Sequence, residues 1–214
     1  MSVMTRATVR AMCVLACGVL WVAGCSDELD PTQPEDAYAM FQASLLSGDA
    51  DGVWDRVDED TRSFYQARRD KLDAMGERIV EFLPQADHRL AREQAGVVLT
   101  DEVADGKALF LKVFTPKELP TEQAYALGMD VDELNVAEDG LLAEVKTRGG
   151  QVFYLSRGSE DQEWFVMLLK STEQVATSMK WLDANEEALE QTIKDLIDER
   201  RDAREEIISE LMGL

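Results

Sequence analysis

Cys25 is the residue of this 214-residue chain whose surroundings best suit covalent chemistry. It follows Ala23 and Gly24, two small residues that leave the approach to its thiol open. A thiol is a soft nucleophile and can be alkylated at sulfur. An apolar run from residue 11 to residue 23 precedes this site, so the chemistry is predicted to take place next to a membrane.

The segment before Cys25 has the pattern of a secretory signal peptide. Arg6 and Arg10 are its charged residues, and about 13 apolar residues follow, whereas a membrane-spanning helix needs roughly 20. The run ends in Val22-Ala23-Gly24-Cys25-Ser26, which resembles the bacterial lipobox. The resemblance implies cleavage between Gly24 and Cys25, with a diacylglyceryl thioether on the new N-terminal cysteine. An ordinary signal peptide cut elsewhere and an uncleaved anchor are the alternatives.

A lipid on Cys25 predicts attachment to a bacterial envelope membrane. Each buried methylene contributes about 0.8 kcal/mol to membrane binding. A single acyl chain therefore binds marginally, whereas several chains bind far more strongly. Ser26 follows the cysteine where an aspartate favours inner-membrane retention in Gram-negative bacteria, which implies the outer membrane, facing the periplasm. Cys13 and Cys17 leave with residues 1–24, so neither a disulfide nor free-thiol chemistry is expected in the mature chain.

His88, the only histidine, is the single candidate for acid–base catalysis by an imidazole. It follows Pro84 in a polar stretch, and the sequence offers no carboxylate that can be paired with it. A surface histidine is the favoured interpretation. No catalytic residue is assigned, and the sequence favours a binding protein over an enzyme.

Acidic runs are the candidates for metal binding. Asp49-x-Asp51-Gly52 begins like a calcium loop, but its glycine comes two positions early. Asp130-x-Asp132 has Asn135 where such a loop needs glycine. With one histidine and no free cysteine in the mature chain, zinc is not expected either. The sequence therefore predicts no metal site and no cofactor.

The net charge of −21, from 22 Lys and Arg against 43 Asp and Glu, argues against binding to nucleic acid or to anionic lipid. Loss of the signal segment leaves 20 basic and 43 acidic groups, a net charge of −23. Residues 25–33, polar and acidic after the cysteine, predict an extended tether. The charge is interpreted as what keeps a tethered domain soluble and away from the lipid surface.

The mature domain begins with helical patterns. The first helix is predicted from the capping-box pattern Thr32-x-x-Glu35 to the residue before Gly48. A short second helix is predicted near residues 53–57, and a third from Asp60, as its cap, to the residue before Pro84.

A longer motif runs through these helices. It reads Pro34-Glu35-x-Ala37-x-x-x-Phe41-x-x-x-Leu45-x-x-Gly48-Asp49, followed by Trp54 and by Asp60-Thr61-Arg62. It resembles the opening of nuclear-transport-factor-two-like domains, which many bacterial lipoproteins carry. The resemblance implies a cystatin-like α+β fold over residues 34–170, a cone of N-terminal helices packed on a curved antiparallel sheet. Some relatives are isomerases, dehydratases or hydrolases, but no family catalytic position can be carried over to this chain.

The sheet is predicted to have four or more strands. Alternation after Asp105-Gly106 predicts a strand at residues 107–114. Residues 164–169 are apolar on both faces, as in a central strand, and Trp164-x-Val166 resembles the segment that closes the sheet in this family. The stretch 115–140, with a short helix predicted near 121–127, is longer than the family pattern needs.

A hairpin is the clearest sheet signal. Gly149-Gly150 predicts a two-residue connection, with both glycines at positive φ, between residues 141–148 and 151–156. This register places Ala143, Val145 and Thr147 on one face with Val152 and Tyr154.

Aromatic side chains are the candidates for lining an apolar pocket inside the cone, with core packing as the default alternative. They are Tyr38, Phe41, Trp54, Tyr65, Tyr154 and Trp164.

Residues 171–214 form a C-terminal extension with helical spacing. A continuous helix over 172–212 would be about 60 Å long, longer than the domain is wide, so it is expected to break or to project. Asp183-x-x-Glu186 predicts a break near Ala184. Glu186 and Arg200 interrupt the apolar seam and argue against a simple, strong homodimeric coiled coil. The extension is expected to pack along its own domain or to contact a protein partner.

The sequence as a whole favours a membrane-anchored, non-enzymatic envelope lipoprotein that binds a small apolar ligand or a protein. The alternatives are an assembly or scaffolding protein that acts through its acidic C-terminal helix, and an enzyme of the same fold with an unrecognised site.

Overall fold

Helices come first along the chain and the sheet follows, in a computed structural model that describes residues 29–114, 128–158 and 162–212. The predicted signal segment, Cys25 and the short helix predicted near 121–127 lie outside the described residues. The described part is of mixed helix and sheet, with a four-stranded antiparallel sheet and a long C-terminal helix.

The helical half precedes the sheet. It contains α1 (Pro34–Ser47), α2 (Ala50–Asp55), α3 (Glu59–Phe82), α4 (His88–Ala95), a 3₁₀ helix (Val97–Asp101) and α5 (Gly106–Val113). The sheet, in the order β1-β2-β3-β4, contains β1 (Val131–Val136), β2 (Leu142–Thr147), β3 (Val152–Arg157) and β4 (Trp164–Val166). The chain ends with α6 (Leu168–Ser171), α7 (Glu173–Thr177) and α8 (Lys180–Met212).

α1 and α3 lie where the periodicity predicts them, but their caps differ, and α2 begins and ends a few residues earlier than predicted. The predicted capping box is not formed, because Thr32 donates to the Asp30 carboxylate and Gln33 occupies the cap position without a side-chain bond. The cap of α3 is Asp58, whose carboxylate accepts from the Thr61 backbone N–H at 3.2 Å. The Asp58 N–H donates to the Val166 carbonyl, so the start of α3 is tied to β4.

The strand predicted at residues 107–114 is wrong, because this segment forms α5. The Asp105 carboxylate accepts from the Ala108 N–H at 2.8 Å and caps a helix. Leu109 and Phe110 are adjacent and both fully buried. A helix packed on α3 allows this, whereas a strand with one face exposed to solvent would bury only one of two successive side chains. The sequence pattern missed β1 instead, since a bulge between Val131 and Glu133 shifts its alternation.

The hairpin is confirmed, but its loop is one residue longer than predicted. The Thr147 N–H donates to the Gln151 carbonyl and the Gly150 N–H to the Thr147 carbonyl, both at 2.8 Å. Gly150 alone of the two glycines takes a positive φ, of 81°. This three-residue connection is the type that places glycine in a left-handed position at its end.

The longer loop exchanges the two faces of β3. Val145 pairs with Phe153, so Phe153 and Leu155 join Ala143 and Val145 on the buried face. Val152 and Tyr154, which the sequence predicts for that face, are half-buried on the opposite one. A shift of one residue has this effect because side chains alternate along a strand.

The prediction that residues 164–169 form a central strand is also wrong. β4 has three residues and lies at the edge of the sheet, and α6 begins at Leu168. The edge is covered, because Val57 forms a parallel bridge with Val166 and the Trp164 N–H donates to the Pro31 carbonyl at 2.9 Å. This cover explains why an edge strand is apolar on both faces.

The C-terminal extension both breaks and projects. The break lies between α7 and α8, at residues 178–179, and not near Ala184. The first half of α8 is packed, with Leu182, Leu189 and Ile193 buried. Residues 197–212, here named the α8 tail, continue the helix for about 24 Å. Neither α8 nor any other helix in the described ranges is long and apolar enough to span a membrane.

Candidate functional site

The aromatic residues proposed to line a pocket are divided among separate packing clusters. Tyr38 and Phe41 are fully buried and pack against Phe153, with ring centroids 5.3 and 5.8 Å away. The Tyr38 hydroxyl donates to the Met129 carbonyl at 2.9 Å. These rings join α1 to the inner face of the sheet.

A second cluster joins α2, α3 and α5. The ring centroid of Phe110 lies 5.1 Å from those of both Trp54 and Tyr65.

The two remaining candidates lie on β4 and β3. The Trp164 indole N–H donates to the Thr32 carbonyl at 3.1 Å, and the Lys170 Nζ lies 4.0 Å from the ring centroid of Tyr154. The described structure does not bring the six candidates around one pocket.

Two buried titratable groups, Asp58 and Tyr65, are candidates for acid–base chemistry. Burial raises the pKa of Asp58, although its carboxylate accepts bonds from both the backbone N–H and the hydroxyl of Thr61. Burial also raises the pKa of Tyr65, which has a hydrogen bond with Ser178. Each group therefore takes part in a structural contact, at the start of α3 or between α3 and the turn before α8.

His88 is half-buried at the start of α4. Its Nε2 lies 3.0 Å from the carbonyl oxygen of Leu83, just after the end of α3. The ring therefore links two helices, and within the described ranges no carboxylate forms an ion pair with it.

The acidic runs considered as calcium loops have structural partners. Asp49 caps α2 by accepting from the Gly52 N–H at 3.0 Å, and Asp51 pairs with Lys107 at 2.9 Å. Within residues 29–114, 128–158 and 162–212, no cluster of three or more His, Cys, Asp or Glu side chains is placed to hold a metal ion.

A groove of about 580 Å³ lies between α3, α4 and the 3₁₀ helix, and the sequence did not predict it. Gly76 leaves room at its floor, where a Cβ would meet a Val97 methyl at 3.1 Å. Arg92 in its wall is paired with Asp101 at 2.7 Å. The lining combines three carboxylates with two valines, one arginine and one threonine, and it contains no histidine or cysteine: Asp73, Gly76, Glu77, Val80, Glu81, Arg92, Val97 and Thr100.

The first half of α8 is held on α3 by a row of ion pairs. Lys71 contacts Asp183 at 2.8 Å and Glu186 at 2.7 Å, and the Arg78 Nε donates to Glu190 at 2.8 Å. Residue numbers rise together on the two helices, from Lys71 with Asp183 to Arg78 with Glu190, so α3 and α8 run parallel. α3 ends at Phe82, four residues after Arg78, and α8 leaves this neighbour about four residues after Glu190.

These ion pairs shift the pKa values of both partners. The hydrogen bond from Lys71 lowers the pKa of Asp183, and the one from Arg78 lowers the pKa of Glu190. The same contact with Asp183 raises the pKa of Lys71. A lowered carboxyl pKa stabilises the docked helix at pH values above the ordinary carboxyl pKa. This contribution is lost as the pH falls through the lowered pKa.

Docking of α8 is therefore expected to weaken in acid. Between about pH 5 and about pH 3, hydrogen-exchange protection of the amides at residues 182–193 should fall a few-fold, after correction for intrinsic exchange. The apolar contacts of Leu182, Leu189 and Ile193 persist, so the helix should stay docked in part. In a variant with Asp183→Asn and Glu190→Gln, protection should start lower and respond less to pH. An equal response in both proteins would contradict the assignment to these pairs.

The α8 tail is the largest exposed apolar feature of the C-terminal extension. Its five large apolar side chains are 45–82% exposed: Ile197, Ile207, Ile208, Leu211 and Met212. They continue the helix beyond Leu196, which still packs partly on the core. The tail therefore presents apolar side chains where α3 and α4 no longer cover the helix.

Comparison of the chain with protein-family models, with curated proteins and with solved structures found no match. The described geometry contains a well-packed core, an acidic groove and a projecting amphipathic helix.

Proposed function

We propose that the protein is a lipid-anchored protein of the bacterial cell envelope that binds a protein partner through the α8 tail. The observation that carries the proposal is the exposure of the tail's apolar side chains, up to 82% at Leu211. Burial of apolar surface yields about 25 cal/mol per Å², so a partner that covers these side chains gains free energy from each of them.

A protein partner accounts for the geometry better than a small apolar ligand does. The aromatic rings that would line a cone pocket fill the core, and Tyr38, Phe41 and Tyr65 are at most 1% exposed. The tail is convex and about 24 Å long, a shape that suits a groove or another helix. The scaffolding alternative is therefore preferred to a ligand carrier.

The lipid anchor is supported by the lipobox around Cys25, and the serine after it supports the outer membrane. The cystatin-like cone is a further part of the proposal. It is supported by α1 packing on the inner face of the sheet and by the connection of Val57 to β4. The segment between Phe82 and the sheet departs from the resembled pattern, since α5 stands where a strand was expected.

Photo-crosslinking in cells tests the docking role. With p-benzoylphenylalanine at Leu211, we expect a discrete protein adduct, which mass spectrometry identifies. The matched control places the same residue at Leu90 on α4, which is 52% exposed and apolar but outside the tail. Addition of Ile207→Asp should remove the adduct at position 211, since a charge enters the contact.

Absence of a discrete adduct at position 211, or the same adducts at positions 211 and 90, would contradict the proposal. A truncation test should remove residues 197–214 only. A cut at residue 184 would also remove Leu189 and Ile193, which belong to the core.

A further inference from the structure

The apolar face of the α8 tail is also its basic face. On a helix with 3.6 residues per turn, Arg204 lies within about 15° of the centre of the face formed by the five exposed apolar side chains of the tail. Arg200 and Arg201 lie within about 70° of that centre. The tail thus interleaves guanidinium groups with isoleucine and leucine on the side that continues the packed face of α8.

The carboxylates of the tail lie on its other side. Five lie more than about 100° from the centre of the apolar face: Asp198, Glu199, Asp202, Glu206 and Glu210. Glu205 lies on the flank, at about 90°. Although the tail has a net charge of −3, the surface that a partner would cover has three positive charges. The expectation that an acidic helix surface binds the partner is therefore replaced by a basic, apolar one.

Two of the three arginines have no carboxylate partner in the described part of the chain. Arg201 pairs with Asp198 at 3.1 Å and with Asp202 at 3.4 Å. Arg200 and Arg204 make no ion pair or hydrogen bond there, and both are exposed. Their guanidinium groups are free to form charge-assisted bonds with carboxylates of a bound protein.

We propose that the partner presents an acidic amphipathic segment, with aliphatic side chains against the tip of the tail and carboxylates opposite Arg200 and Arg204. This inference rests on the proposed docking function and specifies the chemistry of the partner. The planar guanidinium fork favours bidentate contacts with carboxylates, while the arginine stems extend the apolar surface.

A second copy of this chain fits the face less well. Two tails that join their apolar faces bring Arg200, Arg201 and Arg204 of both copies into one interface. Their own carboxylates lie on the opposite side of each helix. Like charges in a shared contact oppose association, so the charge pattern selects a different sequence.

An anionic lipid surface also fits less well. Helices that lie on membranes bury an apolar face and keep their basic residues on the polar side. Here Arg204 lies at the centre of the apolar face, where insertion would place its charge towards the hydrocarbon.

Binding of designed peptides tests the inference. The probe is a labelled helical peptide of leucine heptads flanked by glutamates, and the comparison peptide carries lysines at the same flanking positions. Binding to residues 26–214 is measured by fluorescence anisotropy at 0.15 M salt, where the Debye length is about 8 Å. We expect Arg200→Glu with Arg204→Glu to weaken binding of the acidic peptide at least tenfold, about 1.4 kcal/mol or more.

Matched variants identify the contribution of each part of the face. Arg89→Glu changes an arginine on α4 whose side chain is 82% exposed, and it should leave binding of the acidic peptide within twofold. Ile207→Ala with Leu211→Ala should weaken it about tenfold without a change of charge, whereas Leu90→Ala should not.

Three outcomes would overturn the inference while leaving the docking function intact. They are equal loss of acidic-peptide binding with Arg89→Glu, concentration-dependent dimerisation through the tail in sedimentation, and binding to phosphatidylglycerol vesicles that Arg204→Glu abolishes. If the adduct at position 211 also fails to form in cells, the proposed function itself is wrong. The two failures are therefore distinguishable.

Discussion

Replacement of Cys25 by alanine is expected to move the protein from the membrane fraction to the soluble fraction and to abolish its labelling with fatty acid. Alanine removes the sulfur that would carry the diacylglyceryl group. At about 0.8 kcal/mol per buried methylene, two acyl chains of about 14 methylenes each contribute on the order of 20 kcal/mol of membrane binding. Residues 29–114, 128–158 and 162–212 contain no helix that is long and apolar enough to span a membrane.

Cys13→Ala is the matched control for the anchor. Cys13 lies within the apolar run, without the Ala-Gly pair that precedes Cys25. We expect this variant to incorporate fatty acid and to remain in the membrane fraction as the unaltered protein does. Incorporation of labelled fatty acid by the Cys25→Ala protein would show that the lipobox assignment is wrong.

Gly106→Ala is expected to destabilise the domain by about 3 kcal/mol or more. Gly106 is the first residue of α5 and is buried against α3. A Cβ at this position would meet the backbone nitrogen of Gln66 at 2.5 Å and its Cα at 2.7 Å. These are main-chain atoms of α3, so the clash can be relieved only by separating the two helices.

Separation of the two helices would also break the bonds that dock α5. The Gly106 N–H donates to the Gln66 side chain at 2.9 Å, and the Arg69 Nε donates to the Val103 carbonyl at 2.7 Å. Phe110 would also lose its contact with Tyr65, since the centroids of the two rings lie 5.1 Å apart in the folded protein. Urea unfolding of residues 26–214, with and without Gly106→Ala, measures the loss of stability.

Gly140→Ala is the control that distinguishes the steric clash with α3 from the strain of placing alanine at a backbone conformation that favours glycine. Gly140 has a φ of 68°, and a Cβ there meets nothing within 4 Å. Its replacement should cost about 1 kcal/mol, from backbone strain alone. Equal losses at positions 106 and 140 would show that the contact between α3 and α5 is not the cause.

The first three helices and the hairpin were predictable because their signals are local. The periodicity of apolar residues, the glycine at the end of α1 and the proline after α3 act within a few residues of the chain. The caps were less predictable. Thr32 and Asp60 are suitable cap residues, but Gln33 and Asp58 occupy those positions because contacts with β4 place the chain there.

The α5 segment and β1 show where local patterns fail. Leu109, Leu111 and Val113 alternate as in a strand, and the same residues are compatible with a helix. The helix forms because Asp105 caps it and α3 receives Leu109 and Phe110 together. In β1, a bulge displaces the alternation that would have revealed the strand.

The candidate site was predictable in part. The sequence indicates a helical extension that breaks or projects, and it places Arg200 in the apolar seam. It does not indicate where the covering helices stop. The acidic groove beside Gly76 was not predictable either, because its walls come from α3, α4 and the 3₁₀ helix.

The sequence by itself determined the lipobox-like pattern that ends at Cys25, the net charge and the helical periodicity that continues through α8. These properties depend only on composition and on the order of residues along the chain. The tertiary structure decided which part of that periodicity is core and which part is surface. α3 ends at Phe82, so Leu189 and Ile193 are buried while Ile207 and Leu211 of the same helix stay exposed beside Arg204. The physical reason is that a helix's own hydrogen bonds determine its faces, whereas only its neighbours determine which faces are covered.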